Sequence, residues 1–325
     1  MNILSIHNRI RKWAYILLGY TILVILWGAW VRISHSGDGC GDTWPLCQGQ
    51  VLPQGSQVVG KTWVEYAHRF TSGLYGIFVV VLFLWIRKWN AKEKLGSSYR
   101  WAFWVLIFMI TEALLGAKLV IFGLVNANAS GWRVLVMSLH QLNSFMLVGF
   151  TVRFLASTFE VEYQTYISAV LPSKESLKLK SFFTRPIFLI SFLIIAVAGA
   201  WASLSTTLFP STSLWEGLQR DMETSSHLVL KIRILHPLLG IFLGGFLAWG
   251  LYRLSATLNA FLGRIALIGS ALIVLGIVAG ILNLILLSPT PMKLIHLLLA
   301  HSLWSTAVFF YHFYSMPLGT QIKSQ

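Results

Sequence analysis

Eight apolar stretches of about twenty residues each dominate this 325-residue chain, at roughly 13–33, 67–86, 101–122, 134–154, 186–206, 232–252, 263–287 and 292–313. A helix of that length spans a hydrocarbon core of roughly 30 Å. Within that core the backbone must satisfy its own hydrogen bonds, so each stretch reads as a transmembrane helix. The composition agrees: 56% of residues are hydrophobic and 11% charged, with a mean hydropathy of +0.70. A soluble domain carries about twice that charge fraction. The expected fold is an all-α integral membrane protein with eight transmembrane helices. The short basic leader (Met1 to Lys12) is not followed by a small-residue cleavage site, so the first run reads as a retained span.

The net charge of +14 raises the question of nucleic acid, but the positions of the cations answer it. Arg9, Arg11 and Lys12, then Arg87, Lys88, Lys92, Lys94 and Arg100, then Lys174, Lys178, Lys180 and Arg185 fall in alternate connections. Arg253, Arg264 and Lys323 join them on that side. The opposite side holds only Lys61, Arg133, Arg220, Lys231 and Lys293. Such an asymmetry places the basic side and both termini in the cytoplasm. No nucleic-acid partner is expected.

The two halves of the chain resemble each other. Gly28-Ala29-Trp30-Val31-Arg32-Ile33-Ser34 in span 1 matches Gly199-Ala200-Trp201-Ala202-Ser203-Leu204-Ser205 in span 5. Glu112-Ala-Leu-Leu-Gly116 matches Gly276-Ile-Val-Ala-Gly280, and Leu139-His140 matches Ile295-His296. Four spans per copy leave both copies in one orientation, a parallel repeat about an axis along the membrane normal. The expected organisation is an N-terminal half over 1–156, a cytoplasmic linker over 157–185 and a C-terminal half over 186–325.

His68, His140, His236 and His296 each fall four to seven residues into an even-numbered span. All even spans run from outside to inside, so the four imidazoles share a depth of about 6–10 Å below the outer surface. Two histidines at one depth on neighbouring parallel helices can supply both axial ligands of one haem iron. The repeat pairs His68 with His140 and His236 with His296. A single intramembrane histidine equally serves as an interhelical hydrogen-bonding group; four in register with a repeat favour haem. His301, about 140° around the helix from His296, is expected to face a different neighbour. His35 and His227 fall in outer loops, and His7 and His312 lie toward the cytoplasm.

The halves differ in their polar groups. Glu65 precedes His68 by three residues, whereas Arg233 precedes His236. Glu112 in span 3 has Gly276 as its counterpart. An i, i+3 pair shares a helix face, so Glu65 is placed beside the site that His68 serves, where a carboxylate can take up protons. The alternative for Glu65 is a solvated residue near the helix end. Glu112, near mid-membrane, is a functional candidate or a structural partner of Lys118 or of a helix N–H. Arg32, Arg69, Lys118, Arg133 and Arg233 are candidates for haem propionates, or else cations snorkelling at the interface.

Both cysteines lie in one outer loop, Gly39-Cys40-Gly41-Asp42-Thr43-Trp44-Pro45-Leu46-Cys47-Gln48-Gly49. Proline and glycine let that loop turn back, and outside the cytoplasm a disulfide persists. Its role is either redox or structural. Zinc is disfavoured, since only His35 is near two thiolates.

Together these elements resemble the haem A synthase family of bacteria, which includes the mitochondrial cytochrome oxidase assembly protein. The carriers of the resemblance are Gly28-Ala-Trp-Val-Arg, the Trp-Pro-Leu-Cys loop and Glu65-x-x-His68-Arg69. Leu139-His140-Gln141-Leu142-Asn143, Leu235-His236-Pro237 and Ile295-His296-Leu297 complete the set. The resemblance implies oxidation of the C8 methyl of haem O to a formyl group, giving haem A for terminal oxidases. It implies that His68 and His140 bind the substrate haem, His236 and His296 bind haem b, and Glu65 is catalytic. It further implies a bacterial inner-membrane location, a haem O synthase upstream and an unidentified electron donor. The alternatives are a di-haem cytochrome b that leaves haem unmodified, and a haem-binding chaperone or transporter. The latter is disfavoured because the sequence suggests no broken helix.

Overall fold

The computed structural model describes residues 3–55, 58–93, 95–169 and 182–316. Lys94, Lys174, Lys178, Lys180 and Lys323, counted for the charge asymmetry, lie outside the described residues, as does much of the expected linker.

Eight helices are long and apolar enough to cross a membrane. They are α1 (Ile3–Ile33), α2 (Gly60–Glu93), α3 (Ser97–Ile121), α4 (Gly131–Ser157), α6 (Ile187–Leu208), α8 (Leu228–Ser255), α9 (Ala260–Ile285) and α10 (Thr290–Tyr314). All eight expected spans are found. Most helices outrun the apolar stretch that announced them, because hydrocarbon limits the run of apolar side chains and not the helix itself. The ends are set locally. Ser130 and Asn259 accept hydrogen bonds from Arg133 N and Leu262 N as N-caps. Gly123, at φ 59°, stops α3 and donates its N–H to the Val120 carbonyl.

The packing is that of a protein dissolved in lipid. Leu23, Phe242, Ile268 and Val278 are exposed, whereas most of the interior falls into two large apolar clusters, with a small third one of Leu119, Leu124 and Val136. One cluster joins α1, α2 and α3 to one side of α4 through Leu17, Tyr75, Val105 and Phe154. The other joins α4 to α6, α8, α9 and α10 through Val148, Phe188, Leu251 and Trp304. α4 belongs to both and is the most buried span.

Residues that the sequence repeat matches to each other meet across the junction. Arg32 Nη2 donates to Ser203 Oγ at 2.9 Å. Phe145 and His301, each five residues past a site histidine, stack at 4.4 Å with 24° between ring planes. The ring of Trp304 covers Gly149, and its Nε1 donates to the Phe145 carbonyl at 2.6 Å.

Three features depart from expectation. Residues 160–169, assigned to the linker, form helix α5 (Glu160–Ala169), which fastens the ends of other helices away from the four histidines. Arg11 reaches Glu162 and the Thr158 carbonyl, Ser97 donates to Glu160, and His312 Nε2 stands 3.0 Å from Glu160. The outer loop after α6 folds into a short helix, α7 (Leu214–Met222). And α8 is broken: helix over Leu228–Ile232, a turn at Arg233 and Ile234, helix over Leu235–Leu239, then a π-turn over Gly240–Gly244. Pro237 explains the first break, since it lacks an N–H and clashes with the carbonyl four residues earlier, that of Arg233.

Candidate functional site

The four histidines take matching places in their helices. His68 stands eight residues after the first residue of α2, His140 nine into α4, His236 eight into α8 and His296 six into α10. All but that of His296 exceed the expected four to seven because the helices begin before their apolar runs.

Each imidazole lies against a glycine of a neighbouring helix. A Cβ placed on Gly28 of α1 would stand 2.9 Å from His68 Cε1, and one on Gly199 of α6 would stand 2.9 Å from His236 Cε1. The corresponding distances are 3.2 Å from Gly280 of α9 to His296 and 3.7 Å from Gly116 of α3 to His140. Two matched glycine pairs thus back two matched histidine pairs. In the sequence these glycines stand out only as markers of the repeat.

The histidine pairs suit an iron. The rings of His236 and His296 are 5.9 Å apart between centroids, at 80° to each other. Two imidazoles on opposite sides of one metal, with metal–nitrogen bonds of about 2 Å, have about that separation. His236 Nδ1 faces the Ile195 carbonyl at 3.1 Å, which leaves Nε2 for a metal. Nδ1 of His68, of His140 and of His296 is buried without a hydrogen-bond partner among the described residues. His140 lies within electrostatic range of His68. The separation of His236 and His296 therefore suits one iron between them, and His68 and His140 have the matching glycine neighbours. His301, fully buried against Phe145, faces α4 and stands apart from both.

Glu65 is not solvated. It is 3% exposed, and its Oε2 accepts the Cys40 N–H at 2.8 Å. Its Oε1 accepts Arg69 Nη2 at 2.6 Å and Nε at 3.1 Å. Arg69 Nη1 also donates to the Thr43 and Leu46 carbonyls, at 2.5 and 2.8 Å. Cys40 and Cys47 form a disulfide, and both are buried. A Cβ on Gly39 would strike the Lys61 carbonyl, so the loop seats directly on the start of α2. The disulfide loop, Arg69 and Glu65 form one rigid unit, one helical turn above His68.

Glu112 does not pair with Lys118. Its Oε2 accepts Asn143 Nδ2 at 2.7 Å, Ser144 Oγ donates to Oε1, and Oε1 stands 3.5 Å from His140 Nδ1. Thr111 extends the cluster, donating to Asn143 Oδ1 at 2.7 Å. Thr111 and Asn143 also form the polar wall of an apolar groove of about 940 Å³ along α3 and α4, capped by Trp44. None of the four site histidines lines that groove.

The candidate propionate ligands divide. Arg133 is buried and donates to the Asn126 and Asn128 carbonyls, at 2.5 and 2.6 Å. Arg233 pairs with Asp221, at 2.9 and 2.7 Å, and reaches the Gly217 carbonyl, docking α7 on α8. Arg69 is committed to Glu65. Arg32 Nε has no hydrogen-bond partner among the described residues, and Arg133 and Lys293 are nearby, so the outer junction carries a cluster of cations. Lys118 is exposed.

The sequence family described as cytochrome oxidase assembly protein, COX15-CtaA, matches residues 11–308. The chain belongs to that family. Among its relatives, a Bacillus cereus (strain G9842) protein named Heme A synthase is 27% identical over 326 residues, covering 97% of this chain and 95% of the relative. An Alkalihalophilus pseudofirmus Heme A synthase is 37% identical over 117 residues, 36% of this chain and 38% of the relative. A Thermus thermophilus protein named Protoheme IX farnesyltransferase is 34% identical over 313 residues, 93% of this chain. The chain spans about half the length of that Thermus relative, 48% of it.

Proposed function

We propose that this COX15-CtaA protein is a haem A synthase, an oxidoreductase that converts the C8 methyl of haem O into a formyl group. The observation that carries this reading is the set of four histidines at similar places in even-numbered spans, each against a glycine, with His236 and His296 5.9 Å apart. The relative matched over nearly its whole length is named Heme A synthase, whereas the farnesyltransferase name belongs to a protein about twice as long.

In this reading the chain is two pseudo-symmetric four-helix halves, 1–156 and 186–325, joined by a cytoplasmic linker over 157–185. His68 and His140 hold haem O, and His236 and His296 hold haem b. Haem b, when bound, supplies one-electron redox chemistry. Arg32 and Lys293, at the outer junction, offer positive charge to porphyrin carboxylates. Glu65 is the catalytic carboxylate, one turn from His68, and takes up protons released as the methyl is oxidised. Arg69 and the Cys40 N–H fix its position. The protein sits in a bacterial inner membrane with both termini cytoplasmic, takes haem O from a haem O synthase and exchanges electrons with a separate redox partner.

Co-expression of the full chain with a source of haem O, followed by extraction and mass spectrometry of the porphyrins, tests the assignment. A formyl-bearing haem A is expected. Recovery of haem O alone from folded, haem-loaded protein would overturn it in favour of an electron-transfer cytochrome.

A further inference from the structure

The two halves differ most behind His140. Its repeat counterpart is His296; Nδ1 of both rings makes no hydrogen bond among the described residues, but the Nδ1 of His140 faces a carboxylate and, among the described residues, that of His296 does not. Where α3 places Glu112, the matching position in α9 is Gly276; where α4 places Asn143 and Ser144, α10 places Leu299 and Ala300. A carboxylate and both side chains that hold it are thus present in one half and replaced by groups without polar side chains in the other. That carboxylate is well fixed. Asn143 Nδ2 donates to Oε2 while Ser144 Oγ donates to Oε1, and Asn143 is itself anchored to Thr111 Oγ1 and the Phe108 carbonyl. Asn143 and Ser144 follow His140 by three and four residues, so one face of α4 carries the imidazole and the donors that aim the carboxylate at it. Oε1 stands 3.5 Å from His140 Nδ1, which makes no hydrogen bond among the described residues and has this carboxylate as its facing charged group. The other ring of the second pair, His236, faces a neutral carbonyl.

We infer that Glu112 is a positioning residue for His140: it accepts the Nδ1–H, fixes the tautomer that presents Nε2 to iron, and makes this imidazole the most electron-rich of the four. The inference rests on the assignment of His68 and His140 as a haem pair. A ligating imidazole that donates to a carboxylate is a stronger electron donor than one that donates to a carbonyl or to nothing. Electron donation stabilises the oxidised metal and lowers the reduction potential. The haem of the first half is therefore the lower-potential of the two, and the difference is built into α3 and α4 rather than into the porphyrin.

Ser144 makes the inference sharper, because its hydroxyl competes for the same oxygen that faces His140. Removing Glu112 and removing Ser144 shift the potential in opposite directions. The test is a potentiometric titration of the purified full chain loaded with iron protoporphyrin IX, followed by visible and electron paramagnetic resonance spectra. Wild type, Glu112→Gln and Ser144→Ala are compared. The expected result is two haem potentials in wild type, the lower moving up in Glu112→Gln and down in Ser144→Ala, with the higher unchanged in both. The unchanged second haem reports that each variant is folded. Equal potentials for the first haem in all three proteins, or shifts of the same sign in both variants, would overturn the role of Glu112 and leave the haem assignment standing. Failure of wild type to bind haem at His68 and His140 would remove the assignment, and the inference with it.

Discussion

Gly28 lies directly against the imidazole of His68, so that a methyl group on it would stand 2.9 Å from Cε1. Gly199 meets His236 at the same 2.9 Å, whereas Gly116 clears His140 by 3.7 Å, an ordinary contact. Gly28→Ala and Gly199→Ala are each expected to displace the facing ring, costing about 1–3 kcal/mol by overpacking, and to lower haem content at that pair. Gly116→Ala is expected to be near neutral. Pyridine haemochrome content and thermal unfolding in detergent provide the measurement, and equal effects from Gly28→Ala and Gly116→Ala would show that these glycines do not shape the pockets.

The inner side depends on α5. Glu160 accepts Ser97 Oγ at 2.6 Å and faces His312 Nε2 at 3.0 Å, so one carboxylate joins α3, α5 and α10. Glu160→Ala strands a buried histidine and a hydroxyl, at a cost of about 1–3 kcal/mol. Faster proteolysis near 157–169 and a lower Tm are expected. Haem spectra should stay as in wild type, since the site lies at the opposite end of the helices; if they changed, the inner and outer ends would be coupled.

Much of this architecture was legible because membrane burial writes long signals. Apolar length predicted all eight spans, and a repeat in Gly-Ala-Trp and in His140 and His296 foreshadowed pairs such as Arg32 with Ser203 and Phe145 with His301. What stayed hidden was the set of partners that leave no pattern. Arg133 and Arg69 satisfy backbone carbonyls of loops, and no spacing rule announces a carbonyl. α5 escaped notice because a short helix is held by distant residues, Arg11 and His312, more than by its own propensity. Two signals were present and unused: Pro237, which breaks α8, and Asn143-Ser144, whose i+3 and i+4 spacing from His140 identifies the donors that hold Glu112.

The outer helix α7 should respond to acid. Ser213 caps it by accepting the Glu216 N–H at 3.2 Å, and Glu216 answers by accepting the Thr212 N–H and hydroxyl, at 2.8 and 2.6 Å. The Thr212 hydroxyl, and then its N–H, hold the Glu216 carboxyl below its ordinary value. A carboxyl depressed in the folded state stabilises above its unfolded pKa of about 4.3 and loses that contribution as pH falls through the lower folded value. Amide exchange at Glu216 and Gly217 is therefore expected to accelerate below about pH 4, and Glu216→Gln should remove that dependence. Because Glu216 is exposed, the effect stays local to α7; a global loss of Tm over the same window would implicate other carboxylates.

The disulfide loop supplies the strongest stability test, because two restraints hold the same segment. Closing a loop whose cysteines are seven residues apart is worth about 2–3 kcal/mol. The Glu65–Arg69 pair is buried, and breaking such a pair by removing one partner costs about 3–5 kcal/mol, since the other charge is left without compensation. Arg69→Ala should therefore be worse than the double variant Glu65→Ala with Arg69→Ala, the sign expected when an unpaired buried charge, rather than lost attraction, dominates. Cys47→Ser should add to either, because the Cys40 N–H still reaches Glu65 Oε2 without the sulfur link. Thermal unfolding of wild type, Glu65→Ala, Arg69→Ala and the double variant gives the double-mutant cycle directly. If Arg69→Ala and Glu65→Ala proved additive, Glu65 would not depend on Arg69 for its place above His68, and the carboxylate would be free to swing toward the porphyrin during turnover.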